Sequence, residues 1–543
     1  MDSGNPSRGP ALQRSIGPIG LMFTGLSGII GSGWLFASLY AAQIAGPAAV
    51  FSWIVGGFIA LALTLAYAEL GGMLPVAGAL ARIPHFSHGS INSFLAGWLC
   101  WIAYVATAPI EVTAVLQYSS NYLPWLITTA QGERVLSHHG LIVAATLMLV
   151  FTTVNLLGVQ WLTRANTAIT YWKLAVPLAV ALVLIDKGFR ADNFCHTGGF
   201  APNGIAGVFG AVSDGGVMFS LLGFRMALDM AGEAKNPHRD VPLAMIGAMG
   251  ICVVLYLMLQ VAFIGVIPPS LLKHGWHGIS ETTPGGPFAG FATMLGLQWL
   301  AIALYFDAVI SPSGTGLAGT AATSRINYAM AKNGQFPAVF QRVNRFQVPA
   351  WSLVFNFLVG MLLFLPFPGW AELVGFISSA VVLSLAFGPV SLAALRLQLP
   401  DLKRPFRVPY ATVYSAICFV FVGYVVYWTG WETNWKVLLS AFIGLLFLAL
   451  GRARRRAKEP LHLRASGWIW PYLGGLGLIS YAGSYGHGIG ILPHGVDMVV
   501  ITLFSLAIFA LSVKLRLSAQ EVERLLADEE ELNSLSTGRD VKP

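Results

Sequence analysis

The sequence predicts an all-α integral membrane protein. Its first ten spans form a core of two inverted five-helix halves (5+5) with discontinuous helices 1 and 6, and about four further spans bring the total to 14. Three observations lead there. Only 10% of the 543 residues are charged and 56% are hydrophobic, with a mean hydropathy of +0.68, whereas soluble domains carry about 25% charged residues. Apolar stretches near the ~20 residues that a bilayer demands recur from end to end. Two of them, the first and the sixth, are interrupted in mid-span by small residues.

Hydropathy places the spans near 16–42, 47–73, 89–118, 140–160, 166–188, 206–232, 241–267, 289–318, 350–366 and 370–396, then 411–429, 435–451, 467–485 and 496–513. The first holds GLSGIIGSGWLF from Gly25 to Phe36, with four glycines and two serines. Small residues in a span serve close helix contact or mark an unwound ligand site. From this span alone, helix contact is the simpler reading. The sixth repeats the pattern, with Ser220 and Gly223 followed by the charged Arg225. Interruptions five helices apart match an inverted five-helix repeat, whose broken helices meet at the midplane. The pair therefore favours a ligand site.

Charge sets the orientation. With the N-terminus inside, the cytoplasmic segments hold 25 Lys and Arg residues and the external loops five. Lys173 and Arg225 lie within spans. This split predicts a multi-pass protein of the cell membrane with both termini cytoplasmic. The expected units are a polar tail at 1–15, a core at 16–396, spans eleven and twelve at 397–451, a basic loop with spans thirteen and fourteen at 452–513, and a tail at 514–543. The run GRARRRAKEP fixes orientation and touches anionic lipid. In the tail, Ser518 and Glu521 form a capping-box pattern. Val522, Leu525 and Leu526 then give a short amphipathic cytoplasmic helix.

Other classes fare poorly. The net charge of +8 is spread along the inner leaflet and is not a nucleic-acid footprint. Cys100, Cys195, Cys252 and Cys418 form no CxxC or Cys/His cluster, so neither metal nor disulfide framework is expected. No cofactor is implied. HExxH, GxSxG and Walker A patterns are absent, which argues against an enzyme. No ring of like charges suggests a channel filter. No oligomeric state follows.

Five stretches complete the picture: GSGWLF in span one, AELGGMLPVAGAL at the end of span two, FSLLGFR…GEAKNPHRDVP in span six, SRINYAMAKNGQFP after span eight, and PDLKRPFRVP between spans ten and eleven. In their order over residues 16 to about 450, the chain resembles the amino acid–polyamine–organocation (APC) transporters, in particular bacterial proton-coupled symporters of acidic amino acids. The resemblance implies a secondary active transporter that takes up an amino acid with a proton by alternating access. An amino-acid/amine antiporter or a neutral amino-acid permease of the same fold is the alternative, and a channel a remote one.

By the resemblance, the substrate carboxylate is held by main-chain N–H groups at Gly31, Ser32 and Gly33, with Ile29 beside them. A physical reason stands independently: a half-helix starts there, exposing unpaired N–H donors at its positive dipole end. The ammonium group meets carbonyls at Ile29 and at Phe219, Ser220 and Leu222, next to Gly223, and Phe219 matches an aromatic cap over the substrate.

Ionisable residues inside spans are costly and need a reason. Where relatives that carry cationic substrates can hold Glu, this chain has Arg225, which suits a side-chain carboxylate and points to aspartate or glutamate. Asp229, four residues on, offers Arg225 an ion pair instead. Lys173 matches a lysine of proton-coupled relatives whose ammonium replaces a sodium ion. It is expected against the backbone of span one and the Ser313/Thr315 region, unless it snorkels to the surface. Glu111 and Asp307 are further proton-relay candidates, or else pair with Arg225 or line an outer vestibule. Glu69 and Glu233, at span ends, read as structural.

Overall fold

A computed structural model describes residues 16–527 apart from 77, 131–132, 159, 196–197, 280–285, 347, 366–368 and 456–459. The tail expected at 1–15, the end of the C-terminal tail and part of the basic run lie outside the described residues. Span one is split into α1 (Pro18–Ile29) and α2 (Gly33–Ala45). Then follow α3 (Ala49–Met73), α4 (Ala79–His88), and a third span made of α5 (Ser90–Val105) and α6 (Thr107–Ser119). A hairpin of β1 (Ile127–Ala130) and β2 (Glu133–Leu136) leads to α7 (His138–Leu156) and α8 (Gln160–Gly188). The sixth span is α9 (Gly204–Ser213), α10 (Val217–Leu221), one 3₁₀ turn and α11 (Arg225–Asp229). After α12 (Pro237–Val266) come α13 (Ala289–Met294), α14 (Gln298–Lys332) and α15 (Ala350–Leu362). The tenth span is α16 (Trp370–Leu385) with α17 (Phe387–Gln398). The chain ends in α18 (Ala411–Trp428), α19 (Trp431–Arg455), α20 (Ile469–Ala482) and α21 (Val496–Lys514).

This is a multi-pass membrane protein. Among the described residues ten helical stretches are long and apolar enough to cross a bilayer, or eleven when the pair Gly204–Ser213 and Val217–Asp229, bent by 46°, is one span. The expected 14 exceeds this number for a physical reason. Spans one and six are broken, α15 and α20 have only 13 and 14 residues, and a crossing helix needs about 20. Span eight differs too: α13 stands apart, and α14 continues to Lys332. The SRINYAMAK segment, expected after the span, is thus helical, because its Ala, Arg, Met and Lys favour helix where hydropathy falls.

Burial sorts the helices. The apolar window of Leu373–Gln398 is wholly buried and that of Ser90–Ser119 is 94% buried, whereas His138–Leu156 and Trp431–Arg452 stand at 28%. Spans three and ten therefore form the centre with the broken helices. The others turn apolar side chains such as Ile142, Leu149, Phe442 and Leu450 outward, as a lipid solvent requires.

The motif between spans ten and eleven caps a helix. Arg404 donates to the carbonyls of Leu395 and Leu399 at the end of α17, satisfying groups a helix leaves open. Glu69, fully buried at the end of α3, accepts from Arg396 and from the Val408 N–H, tying span two to that loop. Glu233 receives the Ile16 N–H on its carbonyl and faces Arg325 at 3.5 Å. Residues 519–527 form the helix the capping pattern predicts. The Ser518 hydroxyl accepts the Glu521 N–H, Val522 is buried, and Glu521 meets His462 at 2.9 Å.

Candidate substrate site at the two helix breaks

The break in span one is held open by side chains from five other spans. Past Ile29 the backbone leaves the helix, with Ile30 at φ −86° and ψ 86°. The freed carbonyls are taken up one by one. Tyr256 of α12 donates its hydroxyl to Ile29 O at 2.8 Å, and Thr315 of α14 reaches Ser27 O at 3.0 Å. Lys173 of α8, fully buried, donates to Ser27 O at 3.1 Å and Thr315 Oγ1 at 2.8 Å. On the N–H side, Ser32 N donates to Glu111 Oε2 of α6 at 2.8 Å. Trp370 of α16 donates Nε1–H to Ser32 Oγ at 3.0 Å. A buried unwound backbone is stable only when its groups are paired in this way.

Two glycines make the arrangement possible. A Cβ on Gly31 would stand 2.6 Å from Glu111 Oε1 and 2.9 Å from Thr315 Oγ1, so a side chain would push acid and hydroxyl off the break. A Cβ on Gly223 would strike the Gly28 carbonyl and the Ile29 nitrogen, so the two breaks touch backbone to backbone. Ser220 of α10 sits against Gly33 and bonds back to Gly216 O. Leu222 lies in the 3₁₀ turn and, like Ile29, Gly31, Ser32, Gly33, Ser220 and Gly223, is buried.

On the α2 side of the breaks lies a layer of aromatic rings. Trp370 stacks on Tyr40 with centroids 5.3 Å apart, meets Phe219 edge-on at 5.9 Å, and lies tilted by 37° against Phe36 at 5.1 Å. Phe219, half-buried, thus reaches the break only by way of Trp370, which bonds Ser32. On the α11 side, the Arg225 guanidinium lies 4.0 Å from the centre of the Tyr104 ring, a cation–π contact. Arg225 is 4% exposed, and its Nε and Nη1 have no hydrogen-bond partner among the described residues. The direct pair with Asp229 does not form. The Asp229 carboxylate instead accepts the Tyr104 hydroxyl at 2.7 Å.

The coupling candidates divide. Lys173, Thr315 and Glu111 converge on the break at Ser27–Ser32, and Lys173 is anchored inside instead of snorkelling outward. Asp307 belongs to a neighbouring group: it accepts from Trp34 Nε1 at 3.0 Å and from Ser311 Oγ at 2.9 Å. Neither Glu111 nor Asp307 pairs with Arg225 among the described contacts. Ser313 stands outside this group. It is half-buried and its hydroxyl joins none of these bonds, because Ser311 and Thr315, two residues to either side, occupy the helix face that meets span one. Sequence reasoning missed Ser27, Trp34, Tyr104, Tyr256, Ser311 and Trp370. The two carbonyl-bonding and ring-forming tyrosines follow no periodic pattern, and a Trp at the start of span ten reads from sequence as an interfacial anchor.

The family model described as amino acid permease matches residues 16–449. The chain is similar to the glutamate/serine transporter of Bacillus subtilis (strain 168), 38% identical over 531 residues, covering 96% of this chain and 97% of that one. It is equally similar to the aspartate-proton symporter of the same organism, 38% identical over 501 residues, 92% of this chain and 95% of that one. A more distant relative, the cationic amino acid transporter 4 of Mus musculus, is 28% identical over 406 residues, 72% of this chain and 60% of that one. The first match runs well past the end of the family model, so the last helices belong to that shared length. By its broken spans and by these matches, the chain belongs to the amino acid permease family of the APC superfamily.

Proposed function

We infer that this protein takes up an acidic amino acid, aspartate or glutamate, together with a proton, by alternating access. Its two most similar relatives cited above are named for glutamate, serine and aspartate–proton transport, and they are transporters, not enzymes. The observation that carries the acidic substrate is Arg225, a buried guanidinium one residue past the 3₁₀ turn of span six, whose Nε and Nη1 are unpaired among the described residues. An unpaired buried cation is expensive, and a substrate carboxylate supplies its missing partner, two-pronged where geometry allows. The α-carboxylate belongs at the Gly31–Gly33 N–H groups. The ammonium belongs at the carbonyls near Ile29 and Phe219–Leu222.

In the same reading the chain crosses the cell membrane 14 times as a 5+5 inverted repeat plus four spans, both termini inside, as its Lys/Arg distribution requires. The aromatic layer of Phe36, Tyr40, Phe219 and Trp370 then faces outward and closes the outer path. The units at 1–15, 16–396, 397–451, 452–513 and 514–543 follow the same topology, with the basic run at the inner leaflet.

The test is a thermal-shift screen of the purified protein against all amino acids, since a ligand bound to the native state raises its apparent stability. Aspartate and glutamate are expected to give the largest shifts, and R225A to lose them while keeping any shift with serine. A protein stabilised by neutral or cationic amino acids and not by acidic ones would refute the assignment.

A further inference from the structure

The position of Glu111 raises a question that the proposed function leaves open. Its carboxylate sits on the N–H of Ser32, one of the three donors assigned to the substrate's α-carboxylate, at 2.8 Å. Both residues are buried, Glu111 at 1% and Ser32 at 0% exposure. The neighbouring donor, Gly31 N–H, turns back to Ile29 O at 3.1 Å. Substrate and Glu111 therefore compete for one N–H group. Two carboxylates crowded at one place cannot both stay ionised.

We propose that Glu111 is the protein's own stand-in for the substrate carboxylate, and that protonating it vacates the cradle, so that one proton and one substrate enter together. This deepens the proposed function and rests on it. In the empty protein the carboxylate accepts the Ser32 N–H as a charge-assisted bond. A proton from the outer solution joins a Glu111 oxygen to give the neutral acid, whose hold on the N–H is weaker. The substrate carboxylate then takes the N–H. On the inner side substrate leaves, Glu111 gives up the proton, and the carboxylate returns to Ser32 N, closing the cradle for the empty return.

The surroundings fit this exchange. The groups facing Glu111 are Ser32 and Gly31 at the break, Thr315 of α14 beside Gly31, the Lys173 ammonium of α8, and the Tyr256 phenol of α12. Asp307 of α14 acts on the same lysine. Lys173 spends its hydrogen bonds on Ser27 and Thr315 and not on the acid. The acid is thus held by Ser32 at the break, whose N–H a ligand can take over, and this separates it from Asp307, whose two oxygens are held by Trp34 and Ser311.

The experiment counts protons. Purified protein in weakly buffered detergent with a pH-indicator dye is mixed with aspartate near pH 7.5. About one proton taken up per aspartate bound is expected, and tighter binding as pH falls, up to about tenfold per unit. In E111Q the uptake is lost and the dissociation constant becomes flat with pH. Aspartate binding to the wild type without proton uptake overturns the proposal and leaves the proposed function standing, and so does uptake that persists in E111Q. If E111Q does not fold, the wild-type count decides alone. A wild type that binds no amino acid at all would remove the proposed function itself, and this proposal with it.

Discussion

Two buried cations flank the breaks, and they are treated in opposite ways. Lys173 is 0% exposed, with its ammonium within bonding distance of Ser27 O, Ser27 Oγ and Thr315 Oγ1. Arg225 is 4% exposed, lies on the face of Tyr104, and leaves two nitrogens, Nε and Nη1, unused among the described residues. Burying either charge costs several kcal/mol before compensation. For Lys173 the compensation is built in, and it is the unwound end of α1 that supplies it. For Arg225 it is left incomplete. In the proposed function the first holds the structure and the second receives the substrate.

The strongest way to break that comparison is to replace each cation by methionine, which keeps much of the volume. K173M removes charge-assisted bonds worth about 2 kcal/mol or more from the break, so its melting temperature falls and pH-gradient-driven uptake disappears. R225M removes a charge that had little to lose. Its melting temperature holds or rises without ligand, and the shift with aspartate vanishes. Equal destabilisation by the two substitutions would erase the distinction. A K173M protein whose uptake still follows an imposed pH gradient would remove Lys173 from coupling.

A finer cut is R225K, which keeps the charge and loses the planar fork. If Arg225 grips a side-chain carboxylate with two parallel bonds, aspartate affinity falls about 10- to 100-fold, with serine affinity little changed. Isothermal titration in detergent reads both. An unchanged aspartate affinity would mean that a point charge is enough, or that the carboxylate binds elsewhere.

A third buried base sharpens the contrast from outside the spans. His88, at the end of α4, has its ring nitrogens 2.9 Å from Ser87 Oγ and 3.0 Å from Ser512 O, and burial pushes its pKa from 6.5 down to about 4. His85 on the same helix is lowered to about 4 by burial, with His462 and Arg82 opposing its charge. The unfolded chain then binds more protons, so the stability these groups give is full above pH 6.5 and is lost as pH falls toward 4. For His88 this amounts to about 3 kcal/mol. Melting temperature should drop over that window, and H88N should flatten about half of the slope. A wild-type melting temperature level from pH 6.5 to 4.5 would contradict it.

How much of this was legible before any coordinates depended on whether a feature was local in the chain. Gly28, Gly31, Gly33 and Gly223 announce broken helices only together, because either interruption alone reads as helix contact, and both breaks stand where the sequence places them. Ser518 and Glu521 announce a helix start, since a cap is a pattern of four residues. Tyr256 and Trp370, in contrast, reach the first break from spans seven and ten across more than 200 residues. Nothing in their own neighbourhood distinguishes them from the other aromatic residues of an apolar chain. Arg225 was visible as a charge in a span, but whether Asp229 satisfied it depended on Tyr104 standing between them.

Ser313 supplies the smallest expected effect and the sharpest test of the geometry around Lys173. Helix α14 turns Ser311 to Asp307 and Thr315 to Lys173, Ser27 and Ile30. Residue 313 lies two positions from each, about 200° away around the helix axis. Gly314 brings the helix backbone against Lys173, where an added Cβ would stand 3.2 Å from Nζ. S313A is therefore expected to leave stability within about 0.5 kcal/mol and the pH dependence of uptake unchanged. T315A removes a bonding partner of the ammonium and should weaken gradient-driven uptake severalfold. Should S313A uncouple transport while T315A does not, α14 would have to present a different face to span one in the state that moves the proton, and the contrast between the two cations would hold for the resting state alone.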